Sequence, residues 1–203
     1  MTERGMIFNA EMVRAILDGR KTQTRRIMKP QPEPCPRGGH WWPSNVFKTM
    51  LHVEDEMQNG KGGWGGLVGD ACPFGDVGDR IWVREAFASG LSTKSTLAYR
   101  ATHKREDLED GFYDTIKWTP SIHMPRWASR ILLEITDVRV ERLKSISDRD
   151  ALREGCSTDD MKSGDCVADV FARLWASIYG AESWNANPWV WVIEFKRVEG
   201  GAA

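Results

Sequence analysis

The segment 129–143, SRILLEITDVRVERL, carries the strongest strand pattern of the chain and constrains its fold more than any other feature. Its apolar residues alternate in one phase over 131–135 and in the opposite phase over 138–140. Side chains alternate between the two faces of a strand, so this change of phase predicts a bulge or bend near Asp137. A strand bent in this way is suited to a sheet that curves into a closed barrel.

Other segments have the patterns of further strands and of three helices. Apolar residues in short β-branched and aromatic runs indicate strands, whereas apolar residues three and four apart indicate helices. The predicted strands are 80–87, 96–102 and 188–198, and the predicted helices are 9–18, 147–155 and 165–179. Asn9 and Ser147 are the predicted N-caps of the first two helices. Because these elements do not alternate as β-α-β units, they predict an α+β fold with a mostly antiparallel sheet or barrel.

The segment 29–75 differs in composition from the rest of the chain. It is rich in proline and contains a glycine-rich run around Trp64. This composition predicts a long insertion with little regular structure, within a single domain that spans 1–203. Trp41, Trp42 and Trp64 argue against complete disorder, because tryptophan usually buries a large apolar area.

The composition also bounds the class of protein. With 203 residues, 41% of them hydrophobic and 28% charged, the chain can form a core without disulfides or metal. No run approaches the roughly 20 apolar residues of a membrane helix, and the charged N-terminal region lacks a signal-peptide pattern. We therefore expect a cytoplasmic protein with no membrane partner. The irregular spacing of its four cysteines favours free thiols.

A basic run follows the first predicted helix. Cations and hydroxyl groups are mixed there, a combination that suits contacts with phosphate or sugar groups. A solvated basic loop is the simpler interpretation of such a run taken alone. The net charge of the chain is −1, so binding of nucleic acid requires a local patch of this kind. The residues of the run are Arg20, Lys21, Thr22, Gln23, Thr24, Arg25 and Arg26.

Motifs in several parts of the chain resemble those of the ASCH domain family. The run Gly19-Arg20-Lys21-Thr22-Gln23-Thr24-Arg25 resembles the G-x-K-T-x-T-x-R signature of that family. The later motifs are GDRIWV at 78–83, similar to a G-D-x-[LI]-x-V strand, a short helix at 146–155 and the closing strand WVIEF at 191–195. The resemblance covers about 1–28 and 76–198. The pattern is most similar to the larger members, which are encoded by phages or prophages.

The resemblance implies a β-barrel similar to that of PUA domains, which bind RNA, with a cleft lined by the signature loop. Members of the family differ in activity: some are binding modules and some are reported as nucleases. Small bacterial members are amidohydrolases that remove the acyl group of N4-acetylcytidine. Their catalytic lysine, threonine and glutamate fall on Lys21, Thr24 and Glu154 of this sequence. The segment 29–75 has no counterpart in the smallest members.

These three residue types fit amide hydrolysis, which needs a nucleophile, a proton acceptor and a donor to the leaving amine. Thr24 supplies a hydroxyl, and Lys21 acts as a base only if burial or the neighbouring Arg20 and Arg25 lower its pKa. Glu154 holds a water or transfers the proton, although a surface carboxylate at a helix end is the simpler interpretation. In a regular strand, Lys21 and Thr24 lie on opposite faces, so a turn is needed to bring them together.

A second group of candidate binding residues combines Arg84 and Glu85, at the end of a predicted strand, with residues that precede the long strand. Histidine, arginine and tryptophan side chains there suit stacking and hydrogen bonding to a base. In the alternative interpretation, Trp127 and Met124 close the end of the barrel while Arg126 pairs with Glu85. The candidates in the later run are His123, Arg126 and Trp127.

The segment 29–75 also holds weak candidates for a zinc site. Cys35, His40 and Cys72 would supply three ligands, and His52 or another residue would complete the set. Their spacing lacks the short cysteine or histidine pairs that are typical of structural zinc sites. We therefore predict no metal and no other cofactor.

The main hypothesis is an ASCH-like domain that recognises nucleic acid, with RNA favoured, or a modified nucleoside. Its enzymatic form hydrolyses the exocyclic amide of an N4-acylated cytidine. One alternative is a non-catalytic RNA- or DNA-binding module, and the other is a ribonuclease that uses the same basic cleft.

Overall fold

The structure, a computed structural model, describes residues 1–58, 67–90, 96–104 and 116–198. In these ranges the chain has a mixed α+β fold, in agreement with the predicted class. The strands are β1 (Glu3–Ile7), β2 (Gln23–Ile27), β3 (Glu33–Pro34), β4 (His40–Ser44), β5 (Thr49–His52), β6 (Arg80–Arg84), β7 (Phe87–Ser89), β8 (Leu97–Tyr99), β9 (Leu132–Arg142) and β10 (Trp189–Arg197). The helices are α1 (Ala10–Leu17), α2 (Leu67–Ala71), α3 (Asp148–Arg153), α4 (Val167–Tyr179) and α5 (Ala181–Asn185). None of the helices in the described ranges is long and apolar enough to cross a membrane.

A mixed five-stranded sheet with the order β1-β6-β9-β10-β2 forms the centre of the fold. The strands β1 and β6 are parallel, whereas the other neighbours are antiparallel. Two smaller antiparallel sheets consist of β3, β4 and β5, and of β7 and β8. In the described part of the chain, backbone pairing leaves β1 and β2 as the two edges of the large sheet.

The strand β10 is buried on both faces, which explains its continuous run of β-branched and aromatic residues. Trp191, Ile193 and Phe195 pack in the main core, together with apolar residues of β1, β6, β9 and α1. Val190 and Val192 lie on the opposite face and pack with apolar residues of α3 and α4. The strand therefore separates two apolar layers of the fold.

The bend predicted in the long strand is confirmed. Asp137 of β9 pairs with Glu194 of β10, and Ile135 pairs with Phe195. Thr136 is therefore an extra residue on β9, which makes a bulge in the sheet. Because the bulge shifts the alternation by one position, apolar residues on both sides of it face the main core.

The two predicted N-caps are confirmed. Oδ1 of Asn9 accepts a hydrogen bond from the backbone N–H of Met12 at 2.8 Å and caps α1. Oγ of Ser147 accepts from the backbone N–H of Asp150 at 3.1 Å and caps α3. The first helix ends before Gly19, whose φ of 73° is a left-handed conformation that glycine adopts without strain.

The described parts of the segment 29–75 hold more regular structure than the sequence predicts. They contain β3, β4, β5 and α2, and the side chains of Trp42 and Leu51 are buried. Trp42 packs edge-on against Trp191, with ring centroids 5.4 Å apart. Large apolar side chains therefore attach this small sheet to the main core in spite of the prolines. Trp64 and most of the glycine-rich run lie outside the described residues.

His40 links the small sheet to the large one. Its Nδ1 lies 2.6 Å from Oε1 of Glu54, and its Nε2 lies 3.1 Å from Nη2 of Arg142. An arginine can only donate, so Nε2 accepts and Nδ1 donates its proton to Glu54. The ring also packs edge-on against that of Trp189, with centroids 5.4 Å apart. A polar and an aromatic contact thus hold β4 against the ends of β9 and β10.

Arg26 of β2 connects the two edge strands of the large sheet. Its Nη2 donates to the carbonyl oxygen of Ile7 in β1 at 2.7 Å. Its guanidinium group also lies over the ring of Phe8, 5.2 Å from the centroid. The sheet is therefore curved enough for its first and last strands to meet through a side chain.

Candidate functional site

A buried ion pair joins Lys21 to Glu154. Nζ of Lys21 lies 2.7 Å from Oε2 of Glu154 and 2.8 Å from its carbonyl oxygen. The side chain of Lys21 has no exposed surface, and that of Glu154 is 3% exposed. Buried charges need close partners of this kind, because they have lost their hydration. The structure thus brings together two of the three residues that the family resemblance designates.

Tight turns at Gly19 and Gly155 make this approach feasible. After Gly19, the backbone N–H of Lys21 donates to the carbonyl oxygen of Ala15 at 2.9 Å. Gly155 has a φ of 95°, and a Cβ at this position would lie 3.0 Å from Cβ of Ala15 and 3.2 Å from Cβ of Lys21. Glycine at 155 therefore allows the end of α3 to lie against the loop that precedes β2.

Arg25 supplies a second cation to the same carboxylate. Its Nη1 lies 3.1 Å from Oε1 of Glu154, and its Nη2 lies 3.0 Å from Oε2 of Glu141. The side chain of Arg25 has no exposed surface, and its guanidinium group lies 5.8 Å from the ring centroid of Phe171. Each carboxylate oxygen of Glu154 therefore contacts one buried cation, Lys21 on one side and Arg25 on the other.

The pairing of β2 with β10 decides which face each residue of the run occupies. Arg25 is opposite Val192, and residues directly opposite in a sheet share a face, so Arg25 lies on the side of α3 and α4. Thr24 is opposite Ile193 and lies on the side of the main core. Alternation along β2 therefore places the side chains of Thr24 and Arg25 on opposite faces of the sheet.

Burial shifts the pKa values of two ionisable groups at this site. It lowers the pKa of Lys21, an effect that Glu154 opposes and that the nearby charge of Arg26 strengthens. Burial, together with the charge of Glu154, raises the pKa of the Cys156 thiol to about 11. The sequence analysis requires a lowered pKa if Lys21 is to act as a base. Burial shifts the pKa in that direction.

A cleft of about 530 Å³ opens beside Glu154. Its volume is in the range of sites that bind small molecules. Gly155 and Cys156 continue the wall that Glu154 begins, and apolar residues of α1 and α4 complete it. The charged residues around the cleft are Glu11, Arg14, Asp18, Arg20, Asp160 and Arg173. Both signs of charge are present, so the cleft suits a polar ligand rather than a bare polyanion.

A second, narrow cleft of about 20 Å³ adjoins the first. Thr24, Arg25 and Arg26 line it on the side of β2, and apolar residues of α4 line the other side. Met12, Glu154 and Leu174 belong to the walls of both clefts, so the carboxylate lies where the two meet.

The remaining residues of the basic run have different environments. Arg20 is exposed at the large cleft, and its guanidinium group donates to the carbonyl oxygen of Gly155 at 3.0 Å and pairs with Asp18 at 3.2 Å. Thr22 is exposed, and its backbone N–H donates to the carbonyl oxygen of Arg153 at 2.8 Å. Thr22 lines neither of the two clefts.

The second predicted group of binding residues is divided between the interior and the surface. Glu85 is buried and forms a two-pronged ion pair with Arg130, at 2.9 and 3.0 Å. Arg126 pairs with Glu3 at 2.9 Å, so the alternative in which Arg126 pairs with Glu85 is wrong. Glu85 instead fixes the end of β6 to the residues that precede β9.

The run before β9 presents an aromatic residue to solvent. Met124 is buried, as the alternative interpretation expects, but Trp127 is 65% exposed and does not close the sheet. His123 and Arg126 are exposed near it. Arg84 lies over the ring of Trp82 and donates to the carbonyl oxygen of Ile122, which is itself exposed. The residues of this surface patch are Arg84, Ile122, His123, Arg126 and Trp127.

The weak zinc candidates do not form a ligand set. Cys35 and Cys72 are buried as free thiols, and burial raises the pKa of Cys72 to about 12. Both ring nitrogens of His40 are engaged by Glu54 and Arg142. Within the part of the chain that the structure describes, no three His, Cys, Asp or Glu residues are arranged to hold a metal ion.

Several charged residues near the site were missed by the sequence analysis. Arg139 of β9 contacts Glu141 and Glu194, each at 2.6 Å, and Asp150 of α3 at 3.3 Å. Asp150 and Glu141 in turn contact Arg25. The signal was present in β9, because charged residues at 137, 139 and 141 alternate with valines and therefore share one face.

Comparison with known proteins identifies no relative of this chain. No protein-family model, no curated protein and no solved structure matches it.

Proposed function

We propose that this chain is an ASCH-type protein that binds a modified nucleoside, free or within RNA, and hydrolyses the exocyclic amide of an N4-acylated cytidine. The observation that carries the proposal is the contact of Lys21 and Arg25 with Glu154, at 2.7 and 3.1 Å, on the wall of a cleft of about 530 Å³. A buried lysine with a lowered pKa, paired with a carboxylate in a cleft, is typical of acid–base sites.

The proposal includes a PUA-like barrel for the fold. Two features support it. The bulge at Thr136 bends β9, and bulges of this kind accompany closing sheets. Arg26 joins β2 to Ile7 of β1, so the strands that would close the barrel are already in contact.

In the proposed reaction, one water is consumed, the C–N bond of the amide breaks, and cytidine and a carboxylic acid are released. Because the side chain of Thr24 lies on the other face of β2 from Glu154, the nucleophile is a water held by Glu154, which attacks the carbonyl carbon and gives its proton to that carboxylate. Glu154 contacts Lys21 and lines both clefts, so it relays the proton to the leaving amine. Collapse of the tetrahedral intermediate then breaks the C–N bond and leaves the carboxylic acid as the second product. Arg25 keeps the carboxylate of Glu154 in place.

A second candidate function, binding of single-stranded nucleic acid without catalysis, is favoured by the surface patch. Trp127 is 65% exposed, and an exposed tryptophan beside arginines is suited to stack on a base. A ribonuclease would use the same cleft, with a cation stabilising the phosphate transition state. Product analysis separates these functions.

The test is incubation of the purified protein with N4-acetylcytidine and with a mixed RNA, followed by mass spectrometry of the products. We expect release of cytidine by the unmodified protein. Release should be lost in Lys21→Ala and Glu154→Ala, and also in Lys21→Met and Glu154→Gln, which keep the volume of the side chain. The control Lys196→Ala removes a lysine whose side chain is 63% exposed and should leave the rate unchanged. Shortened RNA would favour the ribonuclease, and unchanged substrates would favour the binding module.

A further inference from the structure

Arg25 is shared between the carboxylate of Glu154 and a second one. Its Nη1 lies 3.1 Å from Oε1 of Glu154, and its Nη2 lies 3.0 Å from Oε2 of Glu141. The side chain of Arg25 has no exposed surface, so its orientation depends on partners within the protein. A guanidinium group is planar and rigid, and contacts at both terminal nitrogens fix it. The two glutamates therefore determine together where Arg25 points.

The register of the sheet explains how Glu141 reaches Arg25. Glu141 of β9 is opposite Val190 of β10, and Arg25 of β2 is opposite Val192 of the same strand. The two valines lie on the face of the sheet that α3 and α4 cover, so both charged side chains are on that face too. Because valine is short, the glutamate and the arginine can meet across the central strand.

Glu141 is itself held in place by Arg139. Its Oε1 lies 2.6 Å from Nε of Arg139, which also contacts Glu194 at 2.6 Å and Asp150 at 3.3 Å. One oxygen of Glu141 is thus fixed by Arg139, and the other is directed to Arg25.

Glu141 does not line either cleft, whereas Arg25 lines the narrow one and Glu154 lines both. A ligand in the clefts therefore has no contact with Glu141. An effect of this residue on the chemistry has to pass through Arg25.

The fork of an arginine readily forms two parallel hydrogen bonds with one carboxylate. Such a contact with Glu154 would engage both of its oxygens, including Oε2, which lies 2.7 Å from Nζ of Lys21. A carboxylate held in this way is a poorer acceptor for a proton. By holding Nη2 of Arg25, Glu141 opposes this contact.

We infer that Glu141 is a positioning residue of the proposed amidohydrolase. It keeps Arg25 on a single oxygen of Glu154 and leaves the other oxygen to Lys21 and the attacking water. The inference rests on the proposed function. Loss of the charge of Glu141 should slow the chemical step and leave substrate binding unchanged, because the walls of the clefts stay the same.

The experiment compares kcat and KM for release of cytidine from N4-acetylcytidine by Glu141→Gln and by the unmodified protein. Glutamine keeps the shape of the side chain and removes its charge. We expect kcat to fall by about tenfold or more, since a small misplacement of a reacting group is costly, and KM to stay within about twofold. Circular dichroism gives the folded fraction to which each kcat is normalised.

The matched control is Glu134→Gln. Glu134 lies on the same strand, pairs with Lys196 at 2.8 Å and is 27% exposed, against 24% for Glu141. It lines neither cleft, so its variant should keep the kcat of the unmodified protein. The background Arg25→Lys tests the route, because a lysine keeps the charge and has no fork. In that background, Glu141→Gln should change kcat by no more than about twofold.

An unchanged kcat in Glu141→Gln, or equal losses in Glu141→Gln and Glu134→Gln, would overturn the positioning role and leave the amidohydrolase intact. So would a loss in the Arg25→Lys background as large as that in the unmodified protein. Absence of cytidine release by the unmodified protein would overturn the proposed function, and the positioning role with it.

Discussion

Nζ of Lys21 lies 2.7 Å from Oε2 of Glu154, and the second oxygen of that carboxylate lies 3.1 Å from Arg25. One buried carboxylate therefore serves as counter-ion to two buried cations. The arrangement is asymmetric: removal of Lys21 leaves Glu154 paired with Arg25, whereas removal of the carboxylate leaves Lys21 without an acidic partner while Arg25 keeps Glu141. The stability and the chemistry of the site both depend on this asymmetry.

Loss of the carboxylate should cost more stability than loss of the lysine. Glu154→Gln leaves Lys21 and Arg25 without their shared counter-ion, and we expect it to lower the free energy of unfolding by about 3–5 kcal/mol. Lys21→Met leaves Glu154 paired with Arg25 and should cost less. Urea unfolding at pH 7 measures both values, and the double variant should lose less than the sum of the two. A larger loss in Lys21→Met than in Glu154→Gln would contradict this order.

The stability of the protein should depend on pH through Lys21. Burial lowers the pKa of this lysine from its ordinary value of 10.5. Between the lowered pKa and 10.5, the unfolded chain holds a proton that the folded chain has released, so the free energy of unfolding rises with pH. Urea unfolding at a series of pH values up to 10.5 gives the free energies of unfolding of the unmodified protein and of Lys21→Met, and the first minus the second should rise with pH.

The difference in free energy of unfolding between the unmodified protein and Lys21→Met separates the contribution of Lys21 from that of the buried thiols. The pKa values of Cys72 and Cys156 are raised to about 12 and about 11, so these thiols make stability fall above pH 9. Cys72 contributes equally to both proteins, and measuring both in a Cys156→Ser background removes the thiol whose pKa the charge of Lys21 also lowers. A difference that stays constant across the pH range would show that Lys21 has an ordinary pKa.

Trp127 should contribute to binding of single-stranded RNA. Stacking of a base on an exposed aromatic residue contributes about 1–3 kcal/mol to the free energy of binding. Trp127→Ala should therefore raise the dissociation constant for RNA by about tenfold. Fluorescence anisotropy with a short labelled RNA measures the dissociation constant, and the control Val46→Ala removes a side chain that is 60% exposed in the turn between β4 and β5. Equal affinities for Trp127→Ala and Val46→Ala would exclude the patch as a binding surface.

His40 should determine how firmly the small sheet is attached. His40→Ala removes the contacts with Glu54, Arg142 and Trp189. We expect the free energy of local unfolding of the small sheet to fall by about 1–2 kcal/mol. A protease should therefore cleave within 29–58 about tenfold faster. Limited proteolysis with mass spectrometry identifies the cut sites, with the exposed His123→Ala as control. Unchanged cleavage within 29–58 would show that apolar packing alone holds the small sheet.

The elements with strong periodicity were predicted from the sequence, and those without it were not. Alternation revealed β9 together with its bulge, and the apolar stripe of 165–179 revealed α4. The strand Glu3–Ile7 was missed, because it has one buried residue and no alternation. The strands of the small sheet were missed because their prolines suggest a loop, and only tertiary contacts such as Trp42 with Trp191 reveal the sheet.

The candidate site shows the same limit. The pairing of Lys21 with Glu154 was expected only through the family resemblance, since the two residues are 133 positions apart and no local pattern connects them. The role of Arg25 as a second cation on that carboxylate depends on the register of β2 with β10, which a single sequence does not reveal. The interpretation of Glu154 as a surface carboxylate is wrong, because its side chain is 3% exposed.

In the large sheet, β2 pairs with β10 alone among the described strands. During synthesis, Lys21 and Arg25 leave the ribosome long before the strand that shields them. We predict that β2 joins the sheet only after Trp189–Arg197 is available, so that the site is completed in a late step of folding. A nascent chain that stops before Trp189 would hold every proposed catalytic residue and lack the burial that gives Lys21 its chemistry.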